Sequence, residues 1–234
     1  MKDQDVIKLF RNKRVAVVGP APYLGYCKIG KTLDKYDIIC RINELHIPSR
    51  HEASYGSRTD VVFHNLNSDD GIRCFREDLE RYPEQCKNIK AIICPQKHCD
   101  DAGVNIIDLF HGENRYGIPF FHLGDHFVDD CRSLVGVKLN TGMLSIMSLL
   151  NYDVEELFVT GISFYAEGNV STKVYRDDAS LKGGSPYASG ELSHPQLPQK
   201  EFFKSLLNKR GDRIKIDSYL NNILGMWHTN VIEI

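Results

Sequence analysis

The chain has 234 residues, with 29 lysines and arginines against 31 aspartates and glutamates, a formal charge of −2. That balance leaves no broad basic face for DNA or RNA, and 42% hydrophobic with 26% charged residues describes a folded chain rather than a disordered one. No stretch approaches the roughly 20 apolar residues of a membrane helix, and Met1-Lys2-Asp3-Gln4-Asp5 lacks the apolar segment of a signal peptide. The expected setting is the cytoplasm, or a soluble domain parted from its anchor.

Taken in order, the basic run Arg11-Asn12-Lys13-Arg14 reads as the solvated end of a helix. Val15–Val18 then reads as a buried strand that runs into Gly19-Pro20-Ala21-Pro22-Tyr23-Leu24-Gly25, ahead of a helix expected over Lys28–Lys35. Ile38-Ile39-Cys40, Val61-Val62-Phe63, Ala91-Ile92-Ile93-Cys94 and Leu157-Phe158-Val159-Thr160 are further apolar runs without in/out alternation. That pattern suits strands covered on both faces of a parallel sheet. Helices are expected over Asp70–Arg81, Met143–Leu150 and Gln199–Lys209, so strand and helix alternate as in an α/β layered fold. With no linker or repeat, residues 1–234 read as one domain. Its least regular stretch, 166–198, is rich in Gly, Ser and Pro and reads as a substrate-covering loop. Seven cysteines include no C-x-x-C pair and no zinc spacing, which points to reduced thiols, with Cys40 and Cys94 buried.

Polar residues gather where these strands end. Strand, Gly-containing turn and helix make an ordinary anion-binding geometry, although Gly19 to Gly30 fits neither a P-loop nor a dinucleotide fingerprint, and Pro20 and Pro22 supply no N–H. Arg41-Ile42-Asn43 and His64-Asn65 each put an amide at a strand end, and Asn140-Thr141-Gly142-Met143 puts a hydroxyl and a glycine at a helix start. On one sheet edge these would suit a hydrogen-bonding nucleotide-sugar site. Asn43 as a turn residue, Thr141 as an N-cap and Asn65 as a loop start are the plainer alternatives.

Several segments of the chain carry a resemblance. Val17-Val18-Gly19, Gly30-Lys31-Thr32-Leu33-Asp34-Lys35-Tyr36-Asp37-Ile38-Ile39-Cys40-Arg41-Ile42-Asn43 and Tyr55-Gly56-Ser57-Arg58-Thr59 together resemble the large sialylmotif of glycosyltransferase family 29. Leu139-Asn140-Thr141-Gly142-Met143 with Leu157–Gly161 resembles the small motif, and His194 with Glu201 the very small one. Thr160-Gly161-Ile162-Ser163-Phe164-Tyr165 is similar to the bacterial sialyltransferases of family 42. The resemblance implies a single Rossmann-like domain, a GT-A-like variant with a mostly parallel sheet and helices on both faces. It also implies inverting, metal-independent transfer from a CMP-sugar, with no cofactor. Pro20 stands where family 29 usually has an asparagine near the donor phosphate, and Ala16 near where the animal enzymes have a paired cysteine.

The chemistry needs a base for the acceptor hydroxyl and hydrogen bonds for the departing phosphate. His194, at the start of a helix marked by Pro195 and Pro198, is the expected base. Tyr165, by resemblance to a family 42 tyrosine, is expected on the phosphate, with Tyr175 or Tyr187 as its partner. Asn65 and Thr141 are candidates for the donor's carboxylate, and Gly19, Pro20, Asn43, Asn140, Gly142, Gly161, Ile162 and Ser163 complete the expected donor site. His122 and His126, four apart, make a poor zinc pair across Gly124, and Asp69-Asp70, Asp129-Asp130 and Asp177-Asp178 read as solvated acids rather than a D-x-D metal site. The expected activity is transfer of sialic acid from CMP to a glycan hydroxyl. CMP-Kdo or another CMP-sugar is the alternative donor, and a catalytically silent nucleotide- or glycan-binding module the alternative class. Oligomeric state is not legible.

Overall fold

The continuous apolar runs become the inner strands of one sheet. In the computed structural model, which describes residues 2–66, 69–99, 103, 105–164 and 195–234, the strands are β1 (Arg14–Val18), β2 (Ile38–Ile42), β3 (Val61–Phe63), β4 (Ala91–Cys94), β5 (Phe120–His122), β6 (Glu156–Thr160), β7 (Ile214–Asp217) and β8 (Val231–Ile232). Their spatial order is β5-β4-β3-β2-β1-β6-β7-β8, and each adjacent pair is parallel. Successive strands step outward from β1 as far as β5, and then the chain returns to set β6 on the other side of β1. The order therefore reverses between β1 and β6, which is where open α/β sheets form a ligand crevice beyond their carboxyl ends.

Side chains alternate to two buried faces. Val15, Val17, Leu157 and Val159 pack with residues of α1 (Asp3–Phe10), α7 (Asp125–Val135), α8 (Thr141–Asn151) and α9 (Gln196–Arg210). Ala16, Val18, Ile39 and Phe158 pack on the opposite face against Tyr23, Leu33, Tyr36 and Tyr55. Beside that layer, Val62, Ile92 and Cys94 meet Phe75 and Leu79 of α4 (Asp69–Arg81) and Phe110 of α6 (Ile106–Glu113). α8 is buried almost throughout, as expected of a helix apolar on every side.

Three sequence expectations change. The helix expected over Lys28–Lys35 shrinks to α2 (Gly30–Leu33). Gly30 is wedged against the backbone of Glu52, where a Cβ would lie 1.9 Å from the carbonyl oxygen, and the chain must leave the helix to begin β2 at Ile38. The final long helix starts earlier than expected, at Gln196 with Pro195 as its N-cap and Pro198 in its first turn. Residues 196–198 thus belong to this helix rather than to the expected covering loop, and 166–194 lie outside the described residues. Strands β5, β7 and β8 are additional. Cys40 and Cys94 are buried, and burial pushes the Cys94 thiol up to about 12, which keeps it protonated and unreactive.

Candidate active site

β1 and β6 deliver the core of the site. Gly19 follows β1 and Gly161 follows β6, and the two turns are nearly in backbone contact. A Cβ on Gly19 would lie 2.2 Å from the Gly161 carbonyl oxygen, and one on Gly161 would lie 2.3 Å from that of Gly19. Gly161 also has φ +69°, in the left-handed region that side chains avoid. The Gly19 N–H donates to the Thr160 carbonyl and the Ala21 N–H to the Gly161 carbonyl, each at 2.9 Å. Since Pro20 and Pro22 have no N–H, the backbone donors of residues 19–22 are committed to the neighbouring turn. The Gly19 turn leads into a short 3-10 helix at Pro22–Tyr26 and not into an α-helix whose N-terminus faces the crevice. The anion-binding geometry expected of this turn is therefore replaced by a close glycine–glycine contact.

Next to these turns lies the start of α8. Asn140 is its N-cap, its side chain accepting the Met143 N–H at 2.9 Å. This corrects the reading of Thr141 as cap: Thr141 is the first helical residue, and it is buried with Gly142. A Cβ on Gly142 would sit 3.5 Å from Ile162, and one on Gly19 would sit 2.9 Å from the same side chain. Gly19, Gly142, Gly161 and Ile162 are thus brought together, with half-buried Pro20 and buried Ser163 following in their turns.

Across β2 and β3 the two expected amides meet. The Asn43 side chain accepts the Asn65 N–H at 2.9 Å, and the Asn43 N–H donates to the Phe63 carbonyl at 2.8 Å. Asn43 has φ +57°, a conformation that asparagine tolerates better than most residues. Its turn role and its place at the crevice edge are the same fact. His64, buried beside it, accepts the Leu66 N–H through Nδ1 at 3.2 Å and packs edge-on against Phe75.

Two glutamines that the sequence reading missed link α9 to this edge. Gln199, with 0% exposure, accepts the Asn140 N–H through its side chain at 3.1 Å and donates to the Pro195 carbonyl at 2.9 Å. Gln196 accepts from the Asn140 amide at 3.4 Å. Only the Pro-marked helix start hinted at them, since a glutamine on a polar helix reads as solvated. Glu201, by contrast, is exposed and pairs with Lys204 at 3.2 Å, so it does not face the crevice. His194, Tyr165, Tyr175 and Tyr187 lie outside the described residues.

The other polar candidates are engaged in structure. The two ring nitrogens of His122 are used, Nδ1 by the Gly124 N–H at 3.1 Å and Nε2 by the Gln96 carbonyl at 2.7 Å, so it forms no zinc pair with His126. Asp129 is exposed and pairs with Lys97 at 2.9 Å. No group of three or more His, Cys, Asp or Glu side chains among the described residues is arranged to hold a metal ion. None of the described helices is long and apolar enough to cross a membrane.

With this geometry in view, the similarity to known proteins falls on the same parts. The family model for glycosyltransferase family 29 (sialyltransferase) matches residues 3–102, the stretch that carries β1 to β4 and the turns holding Gly19, Asn43 and Asn65. No curated protein sequence matches the chain. Among solved structures, a mammalian sialyltransferase in complex with Gal-beta-1-3GalNAc-ortho-nitrophenol is 18% identical, with TM-score 0.54 over 90% of this chain and 71% of that one. The sialyltransferase CstII from Campylobacter jejuni, in complex with CMP-3FNeuAc, is 14% identical, with TM-score 0.59 over 87% and 81%. An alpha-2,3-sialyltransferase from the same organism, in apo form, is 15% identical, with TM-score 0.51 over 88% and 75%. The chain thus resembles family 29 in sequence over residues 3–102, and its parallel eight-stranded sheet with flanking helices is the fold of these sialyltransferase structures.

Proposed function

We propose that the chain is an inverting, metal-independent glycosyltransferase that moves a sialic acid from its CMP conjugate to a glycan hydroxyl. One observation carries the reading. The turns that resemble the family 29 motifs meet at the crevice where strand order reverses, in a fold shared with an enzyme solved with a CMP-sugar analogue. In this proposal Asn43, Asn140, Thr141 and Gly142 bind the nucleotide beside Gly19, Pro20 and Gly161–Ser163. Asn65 with Thr141 meets the donor carboxylate. Tyr165, with Tyr175 or Tyr187, donates hydrogen bonds to the phosphate. His194 takes the acceptor proton as the acceptor oxygen bonds to the anomeric carbon from the side opposite CMP. The bond from that carbon to the phosphate oxygen breaks, and CMP leaves with the electron pair. A histidine in this role contributes roughly 100- to 10,000-fold. The start of α9 just beyond Pro195, tied to Asn140 through Gln199, supports a base at that corner of the crevice.

A specific observation favours a second reading, a silent nucleotide- or glycan-binding module. The Gly19 turn spends its N–H groups on β6, and Pro20 offers neither N–H nor side-chain amide. One assay separates the two: CMP-Neu5Ac and CMP-Kdo offered to the parent and to His194→Ala, with a panel of glycan acceptors, with and without EDTA. The expected result is turnover of CMP-Neu5Ac that resists EDTA and falls at least about 100-fold in the variant. Equal rates in parent and variant, with CMP still bound, would favour the silent module. Turnover of CMP-Kdo alone would change the donor, and loss of activity in EDTA would overturn metal independence.

A further inference from the structure

One buried polar cluster has no part in the roles proposed above. Tyr23, in the 3-10 helix after β1, is 3% exposed, and Thr160, ending β6, and Asp217, ending β7, are both fully buried. The Tyr23 and Thr160 hydroxyls donate to the same oxygen of Asp217, Oδ2, each at 2.6 Å. The other carboxylate oxygen accepts the Leu220 N–H at 2.6 Å. Tyr23 in turn accepts the Gly161 N–H at 2.7 Å. Burial pushes the Tyr23 phenol well above its ordinary range, so it keeps the proton it donates. Burial also raises the Asp217 carboxyl, against the pull of the Thr160, Tyr23 and Leu220 hydrogen bonds.

A carboxylate buried at three strand ends is more than a helix cap. The peptide it holds through Tyr23 belongs to Gly161, whose left-handed backbone is wedged against Gly19 and whose carbonyl accepts the Ala21 N–H. The Gly161 peptide fixes both turns that border the crevice, and Ile162 and Ser163 follow it directly. We infer that Tyr23 and Asp217 are positioning residues for donor binding: Asp217 orients the Tyr23 hydroxyl, which locks the Gly161 peptide and so sets the spacing of the β1 and β6 turns around the nucleotide. The inference rests on the CMP-sugar reading above.

Calorimetric titration with CMP, together with donor and acceptor kinetics of the full chain, tests it in Tyr23→Phe, Asp217→Asn and Phe10→Leu. Tyr23→Phe removes one hydroxyl and keeps the buried ring stacked on Tyr219 at 4.3 Å, so it decides the matter even if Asp217→Asn fails to fold. Phe10 lies in the core just before β1 begins, away from the crevice end, and serves as the stability control. The expected result for Tyr23→Phe is CMP affinity about tenfold weaker and donor KM raised in step, as for one buried donor left without its acceptor. Acceptor KM should be unchanged, and Phe10→Leu, at an equal loss in Tm, should bind CMP within twofold of the parent. A folded Tyr23→Phe that binds CMP as the parent does overturns the inference alone, as does an equal weakening in Phe10→Leu. A parent that binds no CMP overturns the functional reading and this inference with it.

Discussion

The two ends of the sheet are held together by different chemistry. At the amino ends, charged side chains meet in partly open positions. Arg14 and Lys215 bracket Glu156 at 3.4 and 2.7 Å, Arg58 and Lys90 bracket Asp60 at 3.1 and 2.8 Å, and Arg213 meets Asp153 at 3.1 Å. At the carboxyl ends, amides and hydroxyls do the joining: Asn43 to Asn65, Asn140 to Gln199, and Tyr23 and Thr160 to Asp217. Both kinds also hold backbone groups, as where Asp60 accepts the Ile39 N–H at 2.9 Å and Asn43 the Asn65 N–H at 2.9 Å, but a buried amide or hydroxyl has few directions in which its bonds are met. Positive φ occurs at both ends, at Asn12 and Asp153 before β1 and β6 and at Asn43, Leu66, Gly161 and Phe164 beyond the carboxyl ends. Charge pairs thus join the amino ends, while amides and hydroxyls join the carboxyl ends, where the turns of Gly19 and Gly161 meet.

The sharpest way to break that division is at the glycine contact. Gly19→Ala and Gly161→Ala would each force a methyl to within about 2.3 Å of a carbonyl oxygen, with added strain at φ +69° in the second. Both are expected to lose more than about 3 kcal/mol of stability and all measurable transfer, read by denaturant unfolding and by CMP-sugar turnover. A folded, active Gly19→Ala would show that the turns can part.

Gln199→Ala should come next in size. It strips partners from the Asn140 N–H and the Pro195 carbonyl at a site with 0% exposure, which costs about 2 to 4 kcal/mol for two buried groups left unmet. If Gln199 also holds the α9 start in line with the α8 cap, kcat should fall further than the folded fraction does. Glu201→Ala on the same helix should leave both within about 0.5 kcal/mol and twofold. Equal losses in the two variants would remove Gln199 from the site.

That contrast also explains what the sequence could reveal. β1, β2, β3, β4 and β6 are covered on both faces, so burial alone writes them as unbroken apolar runs such as Val15–Val18 and Ala91–Cys94. β7 was not legible because Lys215 reaches out to Glu156 in mid-strand and breaks the run. β5 is an edge strand, half-exposed along its length, and β8 has two residues. At the site, Asn43, Asn65 and Asn140 stood out because amides at strand and helix ends have a local signature. Gln199 and Asp217 did not, since their partners lie 59 and 57 residues away in sequence and nothing nearby marks a surface glutamine or a helix cap as buried. Tyr23 was hidden for the same reason, among the prolines of its turn.

The smallest effects come from pH, and their signs differ at the two ends. Burial would raise the Glu156 carboxyl, but hydrogen bonds from Lys215 and Tyr36 and the charges of Lys215 and Arg14 hold it below its ordinary value of 4.5. The folded state thus binds that proton more weakly, so the stability Glu156 contributes is present above 4.5 and is lost as pH falls through the lowered value. Asp217 has the reverse sign. Its raised carboxyl binds a proton more tightly when folded, which favours the folded state below 3.8 and fades as pH rises through the raised value. Unfolding followed from neutral pH into acid should therefore show a shallower loss in Glu156→Gln than in the parent, and a steeper one in Asp217→Asn. The difference for the partly open Glu156 should stay within about 1 kcal/mol. Matching slopes in the two variants would mean that the open ion pairs and the buried hydroxyl cluster answer protons alike, and the distinction between the ends would then rest on the glycine contact alone.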